Sequence, residues 1–150
     1  VEAEFAEGKS LVEGVIGALG LDVAACRAKE TDDQASWTLQ RGSAAILVTL
    51  SKRVQDGGVY LRVISPVMTL PPPEKEKALF QHLLELNAAG LANAAFGLVN
   101  ERVVVVSERP TKDLQAAEVN QMIVHLAAVA DTYDDRLVKT FGGKLSAAKG

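Results

Sequence analysis

The residues of this chain most capable of chemistry are few: one cysteine, two histidines, two Gly-Lys segments and a group of aspartates toward the C-terminal end. Glu7-Gly8-Lys9-Ser10 carries the end of a phosphate-binding loop, in which backbone N–H groups cradle phosphate and the hydroxyl serves magnesium. Such a loop needs its first glycine where Ala3 stands, and a strand ahead of it, so the cradle is missing. Gly142-Gly143-Lys144-Leu145 follows helical sequence and places Leu145 where a hydroxyl belongs. Neither is read as a nucleotide site. His82 and His125 lie apart on helical sequence among Leu and Ala, with no His-x-x-x-His or Cys-x-x-Cys pair to converge on a metal. Asp131, Asp134 and Asp135 share a helical face by spacing and read as a solvated surface near a helix end. Cys26, among Ala24, Ala25 and Arg27, lacks the electropositive setting of a reactive thiolate and reads as a packed structural residue. No Gly-x-Ser-x-Gly elbow occurs, and no nucleophile, base and orienting group stand together. The expectation is therefore no catalysis, no metal and no other cofactor.

Composition bounds the remaining possibilities. A chain of 150 residues with 48% hydrophobic and 23% charged side chains has the make-up of one globular domain, large enough to hold a core without disulfides or metal. The lone cysteine, the absence of a charged-then-apolar leader and the lack of any apolar run near 18 residues read as cytoplasmic and not membrane-bound. The chain begins at Val1, so a short N-terminal stretch is expected to precede it. A net charge of −3 argues against direct nucleic-acid binding, which needs a basic excess. The only positive stretch, residues 41–62, scatters Arg41, Lys52, Arg53 and Arg62 through strand-like sequence.

Periodicity supplies the elements that would position any site. Val12, Val15, Ile16 and Leu19 mark an amphipathic helix with acidic residues toward its start and Gly20 after it. Strand patterning follows: weakly at Val23 to Lys29, then at Trp37 to Gln40, Ala45 to Ser51 and Val59 to Met68, with the hairpin signal Asp56-Gly57-Gly58 between the last two. Pro71-Pro72-Pro73 ends the β region and opens a helix through Leu79, Leu83 and Leu86. Ala94 to Val99 and Arg102 to Glu108 flank Asn100-Glu101 as a second hairpin, and the Val103 to Val106 run, apolar on both faces, belongs inside a sheet or at an interface. A long helix then runs from an N-cap at Asp113 to Gly142-Gly143, and residues 144–150 read as a frayed tail after a single domain of residues 1–143. The order is helix, three or four strands, helix, two strands, helix: an α+β fold with a mostly antiparallel sheet.

One alternating set (Trp37, Leu39, Ile46, Val48, Leu50, Val59, Leu61, Val63) is apolar and reads as the core face. The opposite set is mixed, and Leu47, Tyr60, Arg62 and Ile64 on it form more apolar and Tyr/Arg surface than solvation needs, which marks a partner-binding face. Leu79, Leu83 and Leu86 of the second helix, with Val104 and Val106, are the candidates for contact with a second copy of the chain.

The second half resembles a known family. Leu83-Leu84-Glu85-Leu86-Asn87, Phe96-Gly97-Leu98, Arg102-Val103-Val104-Val105-Val106 and the helix opened by Asp113-Leu114, with Val119, Leu126, Ala130-Asp131 and Tyr133, are similar to the YbjN family, over about Leu79 to Phe141. Members of that family are described as sensory-transduction regulators and share the fold of type III secretion chaperones. The resemblance implies a small acidic homodimer that holds another protein, as a chaperone or regulator, and performs no catalysis. The competing reading is a small-molecule-binding or enzymatic α+β domain with a pocket between the sheet and the long C-terminal helix.

Overall fold

The computed structural model describes residues 1–53 and 55–146. The elements run α1 (Glu2–Ala18), α2 (Val23–Cys26), β1 (Arg27–Glu30), β2 (Gln34–Arg41), β3 (Ala44–Lys52), β4 (Val59–Thr69), α3 (Pro73–Ala89), β5 (Ala95–Val99), β6 (Arg102–Pro110) and α4 (Ala116–Phe141). The strands form one antiparallel sheet in the order β1-β2-β3-β4-β6-β5. The α+β order expected from periodicity is the observed one, with four strands ahead of α3.

Three local readings are corrected. The segment from Val23 begins as a helical turn, because the Asp22 carboxylate accepts the Ala24 and Ala25 N–H groups and caps it; only from Arg27 does the chain extend into β1. Asp113 is not the cap of α4: it sits at φ +60 in the preceding turn, and Gln115 and Glu118 form the capping box instead. The C-terminal segment does not fray at Lys144. Lys144 and Ser146 exchange backbone hydrogen bonds with Thr69 and Val67 across a Met68–Leu145 bridge, on the part of β4 that β3 does not reach. Gly143 permits this approach, since a Cβ there would stand 2.6 Å from the Thr69 carbonyl. Residues 147–150 of the expected tail lie outside the described residues.

The hairpins are as expected. Gly57 takes φ +69 in the β3–β4 turn, and Asn100 and Glu101 take φ +47 and +63, the paired left-handed residues that a two-residue hairpin loop demands even of Glu.

The core lies between the sheet and the helices. Trp37, Ile46, Val48, Leu50, Leu61 and Val63 are buried against α1 (Phe5, Val12, Ile16) and α4 (Val119, Ile123, Leu126). Gly8, the glycine of the apparent phosphate loop, lies inside α1, where its missing side chain lets the helix close on Leu50. An irregularity between Pro66 and Met68 turns both Val67 and Met68 inward. Leu47, Ile64, Val104 and Val106 lie outside the apolar cluster, on the face that carries no helix.

Glu13 ties α1 to the sheet. Its carboxylate accepts the Trp37 indole N–H at 3.0 Å and a bidentate pair from Arg27 at 2.7 and 2.9 Å, so the buried Trp37 keeps its hydrogen bond and three elements share one anion. The Arg27 hydrogen bonds, aided by the Trp37 bond against partial burial, hold the Glu13 carboxyl at about 2, below its ordinary 4.5. The folded protein thus binds this proton less readily than the unfolded chain, and the contribution is present above pH 4.5 and lost as pH falls toward 2. Glu13→Gln should lose about 1 to 2 kcal/mol at neutral pH in urea unfolding, with the difference from wild type shrinking over that acid window. A pH-independent difference would contradict the assignment.

Candidate protein-binding surfaces

The register of the strands assembles the helix-free face row by row. Thr38, Leu47, Ile64, Val106 and Ala95 are successive cross-strand partners on β2, β3, β4, β6 and β5, so four apolar side chains stand in line across the sheet. Beside this row, Pro66, Val104 and Gly97 are partners. On the other side comes a polar row of Ser36, Thr49, Arg62 and Glu108, then one of Gln34, Ser51, Tyr60 and Pro110. The sheet therefore presents a short apolar band flanked by a charged one.

All four residues expected on a partner-binding face lie here. Leu47, Ile64 and Tyr60 are half-buried by their lateral neighbours and Arg62 is exposed. Tyr60 is held in place: its hydroxyl donates to Asp56 at 3.0 Å and the Arg53 guanidinium lies 4.4 Å from its ring centroid. The hydrogen bond to Asp56 pushes the phenol pKa up, and the Gly58 N–H and the Tyr60 hydroxyl together lower that of Asp56. Glu108 lies opposite Arg62 but pairs with Arg53 at 3.6 Å. Arg62 makes no salt bridge among the described residues, leaving a cation beside the apolar row.

The residues expected at a contact between copies divide. Leu79 is fully buried and Leu83 nearly so, both turned into the protein's own core, so the helical stripe at 79 and 83 is consumed by folding. Val104 is 4% exposed within the sheet. Leu86 and Val106 are half-buried, on α3 and on the helix-free face respectively. Besides Val1 and Val124, the large apolar side chains left in solvent among the described residues belong to the next stripe of α3 and to β5: Leu84 at 67%, Leu98 at 51% and Val99 at 39% exposure. Leu84 and Leu98, with Phe80, border an apolar cleft of about 220 Å3 between α3 and β5. Leu84 follows Leu83 directly in the sequence, and only the rotation of α3 on the sheet decides which of the two is wet.

The other candidates take structural places. Cys26 is buried, Lys9 pairs with Glu30, and His125 Nε2 lies 2.6 Å from the Leu91 carbonyl. Asp131 accepts the Ser43 hydroxyl. Asp134 is buried, and desolvation pushes its carboxyl pKa up. Among the described residues no three His, Cys, Asp or Glu side chains converge as metal ligands, and no helix is long and apolar enough to cross a membrane.

Solved structures share this architecture. A chain of the HopA1-SchA chaperone-effector complex superposes with a TM-score of 0.61 at 14% identity, covering 90% of this chain and 98% of that one. A chain of the ExsC-ExsE complex gives 0.62 at 16% identity, covering 88% and 94%. A chain of the heterodimeric ExoU-SpcU complex from the type III secretion system of Pseudomonas aeruginosa gives 0.56 at 15%, covering 86% and 96%. At these identities the likeness is one of fold. No curated protein sequence matches. The family model described as "T3SS (YopN, CesT) and YbjN peptide-binding chaperone 1" matches residues 8–149. The match of that model over nearly the whole length of a chain whose sheet, among the described residues, keeps one face free of helices places this chain in the TY-Chap1 family of peptide-binding chaperones.

Proposed function

We propose that the protein holds a partner polypeptide on the helix-free face of its sheet and acts as a homodimer in the cytoplasm, as a chaperone or regulator. The observation that carries the partner reading is the apolar row of Leu47, Ile64, Val106 and Ala95 on a face that carries no helix among the described residues. Apolar rows on a wet sheet face are costly unless something buries them. Tyr60 and Arg62 flank this one as anchoring side chains, Tyr60 already fixed by Asp56 and Arg53. One of the similar structures, HopA1-SchA, is a chaperone-effector complex, and the other two are also complexes of two proteins, which fits a protein partner here. The lone, buried Cys26 fits a reducing compartment.

The double variant Tyr60→Ala/Arg62→Ala should fold unchanged by circular dichroism and capture its native partner about tenfold less well. Undiminished capture would move the site to a sheet edge or to the outer face of α4.

For the homodimer, the α3/β5 surface of Leu84 and Leu98 takes the place of Leu79 and Leu83, since it leaves neighbouring apolar side chains and a cleft in solvent. Sedimentation at micromolar concentration should give twice the chain mass of 15.9 kDa, and Leu84→Asp/Leu98→Asp should reduce it to one chain with the fold intact. A monomeric wild type would refute the dimer, and a dimeric double variant would move its interface.

A further inference from the structure

Between α4, β6 and the segment joining α3 to β5 lies a cavity of about 420 Å3, on the helical side of the sheet and remote in kind from the open face. It arises from unequal strand lengths: β5 begins at Ala95, opposite Val106, so β6 continues through Ser107 to Pro110 with no strand on that side. Glu118, Gln121, Met122 and His125, spaced along one face of α4, close it from above.

Three observations mark it as more than a packing gap. The Ser107 hydroxyl, on a residue only 4% exposed, lines it without any hydrogen-bond partner, an arrangement folded proteins rarely tolerate. At the rim, Ala92 and Asn93 both hold left-handed conformations, φ +50 and +67, which side chains seldom adopt. His125 fixes that rim by its contact with the Leu91 carbonyl.

Charge selects the ligand class. Arg109 donates to Glu118 at 2.7 Å and to the Pro110 and Lys112 carbonyls, while Glu118 also accepts the Gln115 N–H, so cation and anion are both committed and the cavity is neutral. An anionic guest would meet Glu118 and a cationic one Arg109. The groups left over are the buried Ser107 hydroxyl, which has no hydrogen-bond partner among the described residues, and the exposed carboxamides of Asn93 and Gln121 at the cavity mouth. A carboxamide is best satisfied by an N–H beside a C=O, and this fold already makes such a pair where Asn87 accepts the Phe96 N–H and donates to its carbonyl. We propose that the cavity binds a small uncharged molecule presenting an amide edge, read by Gln121, Asn93 and Ser107. Met122, unbranched and adaptable, is the wall residue able to fit itself to the guest. The site does not depend on the protein-partner reading.

Amide edges of this kind belong to nucleobase rings and to primary amides, and the test separates them. The full chain is followed by 15N–1H NMR during separate additions of uracil and of N-acetylglutamine amide, each to about 10 mM, a range that reaches weak small-molecule affinities. The expected result is saturable shifts at Ser107, Gln121 and His125 with at least one probe, and binding about fivefold weaker in both Gln121→Ala and Ser107→Ala, the loss of one or two neutral hydrogen bonds. Response to uracil alone assigns a nucleobase-type ligand and response to the glutamine amide alone a primary amide. The proposal is overturned if neither probe gives saturable shifts at these positions, or if both variants bind with wild-type affinity.

Discussion

Side chains of a strand alternate between the two faces of a sheet, and in this protein the core helices stand on one of those faces. Much else follows from that constraint. Trp37, Val48, Leu61 and Val105 can be buried by α1 and α4, but their neighbours one residue along must face the other way with no helix to meet them. β6 feels this most, because it lies inside the sheet with Val103 and Val105 under the helices and Val104 and Val106 opposite. Its double-sided valine run is wasteful in a sheet with one wet face and sensible in a sheet whose second face receives a partner.

The two sheet edges point in different directions. β1 is a short outer strand of Arg27, Ala28, Lys29 and Glu30, all exposed, a composition that discourages edge pairing. Arg27 is turned back onto Glu13, so the same residue that ends the sheet also anchors the first helix. β5 carries no charge. Asn87 of α3 satisfies both backbone groups of Phe96 on its outer side, but beyond it Leu98, beside Leu84, and Val99 are uncovered. One edge is thus closed by charge, and the other offers the apolar surface proposed for contact with a second copy.

Much of this was legible in the residues. The alternation of Trp37 through Val63 distinguishes the core face from the open one, and the proline triplet and double glycine bracket the helices correctly. What periodicity could not supply was rotation and distance. Leu79, Leu83 and Leu84 differ little as sequence, and only tertiary packing makes the first two core and the third surface. Val23 to Cys26 read as the start of a weak strand because a one-turn helix is too short to show a period, and its Asp22 cap was the overlooked signal. The cross-strand row on the open face needed the register, of which the sequence held only the Leu47 and Ile64 members as part of the partner-binding set. The cavity beside Ser107 depends on β5 being shorter than β6, a boundary to which hydrophobic pattern is nearly blind.

Site-specific photo-crosslinking in the native cell tests the central claim most directly, because it reads which face a partner touches without first knowing the partner. A photoreactive amino acid is placed at Arg62, on the open face, or at Val124, exposed on the outer side of α4. The account predicts protein adducts from the Arg62 position and none above background from Val124. Adducts from Val124 with none from Arg62 would contradict it.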